Sequence, residues 1–233
     1  MVISIHTLDQ NDRAVRRTTS DDIFDEIYSQ ICKMKILPGA KLSEVEIAKK
    51  FDVSRQPVRE AFIRLGNLGL LTIRPQRATK VSKISLAEVA NARFIRLSIE
   101  LEIFDRALEN FKAEHENIIK LNLDKQRSAL KSDNFIEFKK LDTEFHKIFY
   151  KIAGMPQVFN SITEQKVKVD RLCLLSLTNK IECEEVFEDH EKILTHIVSK
   201  DREALIKRVR SHLSRLDTTL EKISLSHAHY FDL

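Results

Sequence analysis

The chain has 233 residues, of which 42% are hydrophobic and 32% charged, with only four glycines and four prolines. That balance excludes a disordered or collagen-like chain, and no apolar run is long enough to span a membrane. The net charge of +4 is unevenly placed: residues 1–83 carry 15 Lys/Arg against 10 Asp/Glu, and the remaining 150 carry 24 against 25, so a polyanion contact is expected in the first third only.

Residues 1–19 lack a basic stretch followed by an apolar one, so they read as a flexible polar arm and not as a secretory signal. Over 20–35, Ile23, Ile27, Ile31 and Met34 recur on one helical face, with Ser20 as the expected N-cap. Pro38-Gly39 punctuates a turn. Ser43 and Glu46 form a capping box for a helix that buries some of Val45, Ile47, Ala48 and Phe51. Ser54 is the expected N-cap of the next helix, with Pro57 in its first turn, and that helix ends near Gly66 to Gly69. The period then changes, giving two short strands at about 70–74 and 79–83 around a basic turn. From Ser85 onward every segment is helical, at 85–111, 114–131, 133–153, 156–178, 184–199 and 201–227. The fold class is therefore mainly α. It consists of a winged helix-turn-helix with a β-hairpin wing at 20–83, followed by an all-α bundle of six to seven helices at 84–233. The three cysteines, Cys32, Cys173 and Cys183, have no metal-finger spacing and fit reduced thiols in a cytoplasm.

The second helix of a helix-turn-helix lies in the DNA major groove, with its N-terminal residues on bases and phosphates. Here that helix presents Ser54, Arg55, Gln56 and Arg59. Arginine can read guanine bidentately, glutamine can pair with adenine, and hydroxyls can hold phosphate. Val58, Ala61, Phe62 and Leu65 form the opposite, packing side. Arg74 and Arg77 in the wing are placed for the neighbouring minor groove or backbone. Each residue alone would suit a solvated surface helix; the combination points to double-stranded DNA.

A second constellation lies in the helical part. Asp142 and His146 are one turn apart on a helix whose apolar side holds Phe138, Leu141, Phe145, Phe149 and Ile152. His190 falls on the ridge Val186–His190–Ile193–Ile197, and His212 on the ridge Leu205–Val209–His212–Leu216. A single histidine on such a ridge is ordinarily a hydrogen-bonded core residue. Three of them beside a carboxylate are better satisfied together by one divalent metal. One carboxylate and three imidazoles suit Zn, Ni, Fe or Mn, with room left for water or a ligand. His6, His115, His196, His227 and His229 do not join this set; the last two are expected in a tail.

The run "LPGAKLSEVEIAKKFDVSRQPVREAFIRLGNLGLLTIRPQRATKVSKIS" resembles the winged helix of the GntR family of bacterial transcription regulators, and the helical remainder resembles the FadR-type (FCD) effector domain. Met34, Ala78 and Lys80 depart from the pattern, standing where Gly, Gly and Phe are common. The resemblance implies a homodimeric, operator-binding repressor on a near-palindromic site, controlled by a small metabolite. It implies a metal site at Asp142, His146, His190 and His212, and matches Arg96 and Glu100 to an R-x3-E pair whose arginine binds an effector carboxylate. The same two residues also suit a plain intrahelical ion pair. Arg93 and Arg171 are further candidate anion contacts. A competing function is a metal-dependent hydrolase or oxygenase with an accessory winged helix, but the sequence holds no HExxH, nucleophile motif or Gly-rich loop to serve one.

Overall fold

The computed structural model describes residues 18–75, 77–162, 171, 180–215 and 227–232. The arm at 1–17, Cys173, most of the helix expected at 156–178 and the 216–226 part of the helix expected at 201–227 lie outside the described residues.

Helix α1 spans Thr19–Cys32, so residues 18 and 19 belong to the helix and its cap and not to an arm. The N-cap is Thr18, not Ser20. Thr18 and Asp21 form a reciprocal capping box, while Ser20 lies inside the helix and is 7% exposed. Thr18 wins because the residue three positions on, Asp21, can return a bond to its backbone N–H at 2.9 Å. The helix closes in a Schellman motif. Lys35 N–H donates to Gln30 O and Met34 N–H to Ile31 O, and Met34 takes the left-handed φ of +53°. That is the position where glycine is the usual residue, which gives the Met34 departure a conformational meaning.

Strand β1, Lys41–Leu42, follows the turn. Helix α2 is Glu44–Phe51, capped by the Ser43 side chain on Glu46 N–H. Helix α3 is Arg55–Asn67, and Ser54 is its N-cap residue but its side chain makes no capping bond. The wing is smaller in its hairpin and larger in its sheet than expected. Strands β2 (Leu71–Thr72) and β3 (Thr79–Val81) pair antiparallel, and β1 adds a third strand on the far edge of β3. Ile23, Ile27 and Ile31 of α1 meet Val58, Ala61, Phe62 and Leu65 of α3, with Leu71 and Val81 of the wing closing this core. Val45, by contrast, is 57% exposed.

Strand β4, Ile84–Ser85, leads into helix α4, Leu86–Asn110, whose first turn Ser85 caps through Glu88 N–H. Helices α5 (Ala113–Lys131) and α6 (Phe135–Ile152) follow. A helical stretch begins at 158–162. Helix α7 is described over Lys180–Val198, so the chain is already helical before the expected start at 184, and α8 spans Arg202–Ser214. A second core forms among them around Phe104, Phe138, Phe145, Phe149, Ile193 and Val209. Residues 227–232 are not a tail. After a short 3₁₀ turn at Ala228–Tyr230, strand β5 (Phe231–Asp232) runs parallel to β4, with Ile84 opposite Phe231. Phe231 is 1% exposed. No described helix is long and apolar enough to cross a membrane.

Arg171 belongs to this joint as well. It is 3% exposed, and its guanidinium donates to Ser82 O at 2.8 Å, just before β4. Burial pushes its pKa down to about 10. Arg171 ties the helical bundle to the segment just before β4.

Replacing Phe231 by Ala removes the buried anchor of β5 and should lower the unfolding free energy by about 3–5 kcal/mol. Urea unfolding followed by circular dichroism measures it; a loss below about 1 kcal/mol would mean that β5 is only loosely held.

Candidate metal centre and nucleic-acid interface

Five helices bring polar side chains to the middle of the bundle. Helix α6 supplies Asp142 and His146, α7 supplies the adjacent Asp189 and His190, and α8 supplies Arg208 and His212. Helix α4 adds Arg96 and Glu100, and α5 adds Asn122 and Gln126. One ligand atom from each of Asp142, His146, His190 and His212 lies within 4.8 Å of the others. His146 Nε2 is 3.2 Å from His212 Nε2, and Asp142 Oδ1 is 3.5 Å from His190 Nε2 and 3.8 Å from His146 Nε2. The three rings are buried, and Asp142, 20% exposed at its side chain, opens the cluster to solvent.

The outer nitrogen of each ring is engaged. His146 Nδ1 lies 2.6 Å from Glu100 Oε2, and Glu100 Oε1 accepts from Arg96 Nε at 2.6 Å. His190 Nδ1 meets Gln126 Oε1 at 2.9 Å, while the Gln126 amide donates to Asn122 Oδ1, and Asn122 donates to Leu141 O. His212 Nδ1 lies 3.5 Å from Asp189 Oδ2, a carboxylate also held by Arg208 and Arg215. This network assigns the proton of each ring to Nδ1 and aims each Nε2 lone pair inward.

Such an arrangement suits a cation. Two lone pairs facing each other at 3.2 Å repel, and His190 Nε2 is buried with no hydrogen-bond partner among the described residues. Burial pushes the His190 imidazole well below its ordinary pKa, and the neighbouring His212 adds to this. Burial also lowers His212, which its bond to Asp189 partly offsets. Protonation is thus a costly way to relieve the repulsion. Neighbouring nitrogens bound at about 2.1 Å to one ion are about 3–3.5 Å apart, a spacing that His146 and His212 match at 3.2 Å. The carboxylates of the outer layer stay ionised. Burial would raise Glu100, but Arg96 and His146 outweigh it and hold it well below the carboxylate range. His212 and Arg215 do the same for Asp189.

Of the residues expected to bind an effector, Arg96 is 16% exposed at its side chain and tied to Glu100. It realises the intrahelical pair, and its charge still reaches His212. Arg93 is half-buried on the same helix. Gln126, Asn122 and Asp189 were missed in the sequence. Asn122 and Gln126 interrupt the ridge Ile119–Leu123–Leu130 of α5, and a polar pair on an apolar ridge was the available signal.

In the first unit, Arg55, Arg59, Arg74 and Arg77 line one groove between the start of α3 and the wing. Arg55 donates to Glu44 at 2.9 Å, Arg59 lies 3.6 Å from the same carboxylate, and both side chains are about 60% exposed (62% and 60%). Gln56 donates to Glu60. Lys41 and Lys80, opposite each other in β1 and β3, add two like charges on the outer face of the wing. Such pairs disfavour each other unless an anion lies over them.

The gntR family of bacterial regulatory proteins matches residues 19–81, and the FCD domain family matches residues 92–215, more than half the chain. The transcriptional repressor RspR of Escherichia coli K12 is 33% identical over 212 residues, covering 91% of this chain and 93% of RspR. The chain belongs to the GntR family of bacterial regulators. The gluconate operon repressor of Bacillus licheniformis is 23% identical over 216 residues, 91% of this chain and 88% of its own. Two solved structures share the fold. Escherichia coli McbR/YncC has a TM-score of 0.72 at 21% identity, covering 88% of this chain and 98% of that one. A GntR regulator from Rhodococcus sp. RHA1 has 0.68 at 17% identity, covering 87% and 96%. This GntR protein is a DNA-binding transcription regulator and not an enzyme, so the hydrolase or oxygenase reading is set aside.

Two outcomes follow from the cluster. Gln126→Leu should weaken metal affinity about 10–100-fold by releasing the His190 ring, as chelator competition would show. In chelator-treated protein, folded His190 and His212 titrate below the unfolded value of about 6.5, so the unfolded chain takes up more protons on acidification. Stability should therefore fall as pH drops below about 6.5, and a His190→Leu, His212→Leu variant should show a flatter thermal-stability profile between pH 7.5 and 5.5.

Proposed function

We propose that this regulator is a homodimeric repressor. Its FCD domain holds a divalent metal on Asp142, His146, His190 and His212, and binds a small carboxylate that changes operator affinity. The observation carrying this reading is the convergence of those four ligands within 4.8 Å, behind a winged helix with an arginine-lined groove. Zn, Ni, Fe and Mn all accept this donor set. Bound there, the metal supplies a Lewis-acid position for a carboxylate oxygen. Glu100, Gln126 and Asp189 orient the rings, and Arg96 places a positive charge beside the cluster.

Ser54, Arg55, Gln56 and Arg59 read the major groove, and Arg74 and Arg77 reach the minor groove or backbone. One recognition helix reads only a few base pairs, so a near-palindromic operator and a dimer suit the required specificity. Phe94, 72% exposed on α4 beside Ile95, is the kind of apolar surface a second copy covers. Repression is supported by relatives such as RspR and the gluconate operon repressor. A carboxylate shifts operator binding only if it prefers one arrangement of the two DNA-binding units.

Operator affinity by fluorescence anisotropy tests the DNA half of the reading. Arg55→Ala with Arg59→Ala should cost about 1–3 kcal/mol per base-reading arginine and reduce the salt dependence of binding. Unchanged affinity in the double variant would refute it. For the sensor half, His190→Ala should abolish metal retention and the response to small acids while a folded dimer still binds DNA.

A further inference from the structure

Tyr150 follows His146 by one turn on α6, as His146 follows Asp142, so the three lie along one stripe. It is 0% exposed. Its ring packs edge-on against Phe159, with centroids 5.2 Å apart, while its hydroxyl meets no hydrogen-bond partner among the described residues. A buried hydroxyl without a partner is unfavourable, and phenylalanine would fill the same space without that penalty. The surroundings indicate what the hydroxyl faces. Burial and the Glu100 charge push its pKa beyond the usual phenol range, and the Arg96 charge acts on it in the opposite direction. It therefore stays a neutral O–H donor close to the Arg96–Glu100 pair. The buried His190 Nε2, which also lacks a hydrogen-bond partner among the described residues, belongs to the same site.

We infer that the Tyr150 hydroxyl donates to the end of the effector remote from the metal, next to Arg96, so that the effector is a short bifunctional acid. One carboxylate would occupy the metal position reading proposed above, on which this inference rests. The second acceptor would lie about one helical turn away, the spacing between His146 and Tyr150, near 5–6 Å. That is the reach of a three- to four-carbon dicarboxylate or hydroxy acid. A neutral donor beside a cation accepts a carboxylate or a hydroxyl oxygen, and offers nothing to an alkyl chain. Tyr150 is thus a specificity residue that selects for the second polar group.

The test uses full-length protein loaded with Co²⁺, whose visible absorption reports on ligands entering the metal shell, titrated with acetate and with succinate. Acetate fills the metal position only. In the wild type, succinate should bind more tightly than acetate. Tyr150→Phe should leave Co²⁺ affinity and acetate binding unchanged and weaken succinate about tenfold, as expected for loss of one hydrogen bond to a charged acceptor. The inference is overturned if Tyr150→Phe binds succinate as the wild type does, or if the wild type binds succinate no better than acetate; either result leaves a metal-bound carboxylate standing. If neither acid alters the spectrum of the Co²⁺-loaded wild type, the carboxylate reading itself fails and takes this inference with it.

Discussion

Three imidazole lone pairs and a carboxylate pointed at one spot in a dry interior form the constraint around which the helical domain is arranged. Left without a cation, the centre is repulsive, and burial discourages the proton that would relieve it. The fold meets the demand from outside. Each ring is fixed by a partner from another helix: Glu100 for His146, Gln126 for His190, Asp189 for His212. These partners are themselves held, by Arg96, by Asn122, and by Arg208 with Arg215. Five helices are thereby tied to one point, and the phenylalanine core of Phe104, Phe145 and Phe149 excludes water around it. Phe145 stacks on the His190 ring at 3.9 Å, so packing and the bond to Gln126 orient the same side chain.

The DNA-binding unit has its own core and would need no metal to fold, since Ile23 to Val81 form a closed apolar cluster. What joins it to the sensor is α4. Its first turn is capped by Ser85, which belongs to β4 beneath the wing, and fifteen residues later Glu100 touches the first ligand ring. A helix of that length is a stiff rod of about 22 Å. Arg171 bonding to Ser82 O gives the bundle a second hold at the same place.

Much of this was legible in the chain because helical periodicity and side-chain chemistry are local. The apolar stripe of α3, the capping Ser43 and the i, i+4 pair of Asp142 and His146 all follow from spacing within a single element. Features that depend on what another element places opposite were not legible. The cap at Thr18 is an exception, since its reciprocal pair with Asp21 is local and its spacing was there to be read. Strand β1 exists because β3 passes beside Lys41 and Leu42, and two residues carry no periodicity of their own. Arg171 bonds to Ser82 O, 89 residues away along the chain, which its charge alone does not foretell. Gln126 and Asp189 carry no motif, and their value lies in the ring that each happens to face.

The pairing of β4 with β5 sets an order of events in the making of the protein. Ile84 and Phe231 are neighbours in space but roughly 150 residues apart along the chain, a loop whose closure is entropically unfavourable until the bundle between them has formed. On the ribosome, the winged helix can complete its core as soon as Val81 has emerged, and the bundle can assemble next. The hinge strand stays half-made until Phe231 arrives. For that interval, a nascent chain carries a finished winged helix on a joint whose strand pair is still incomplete.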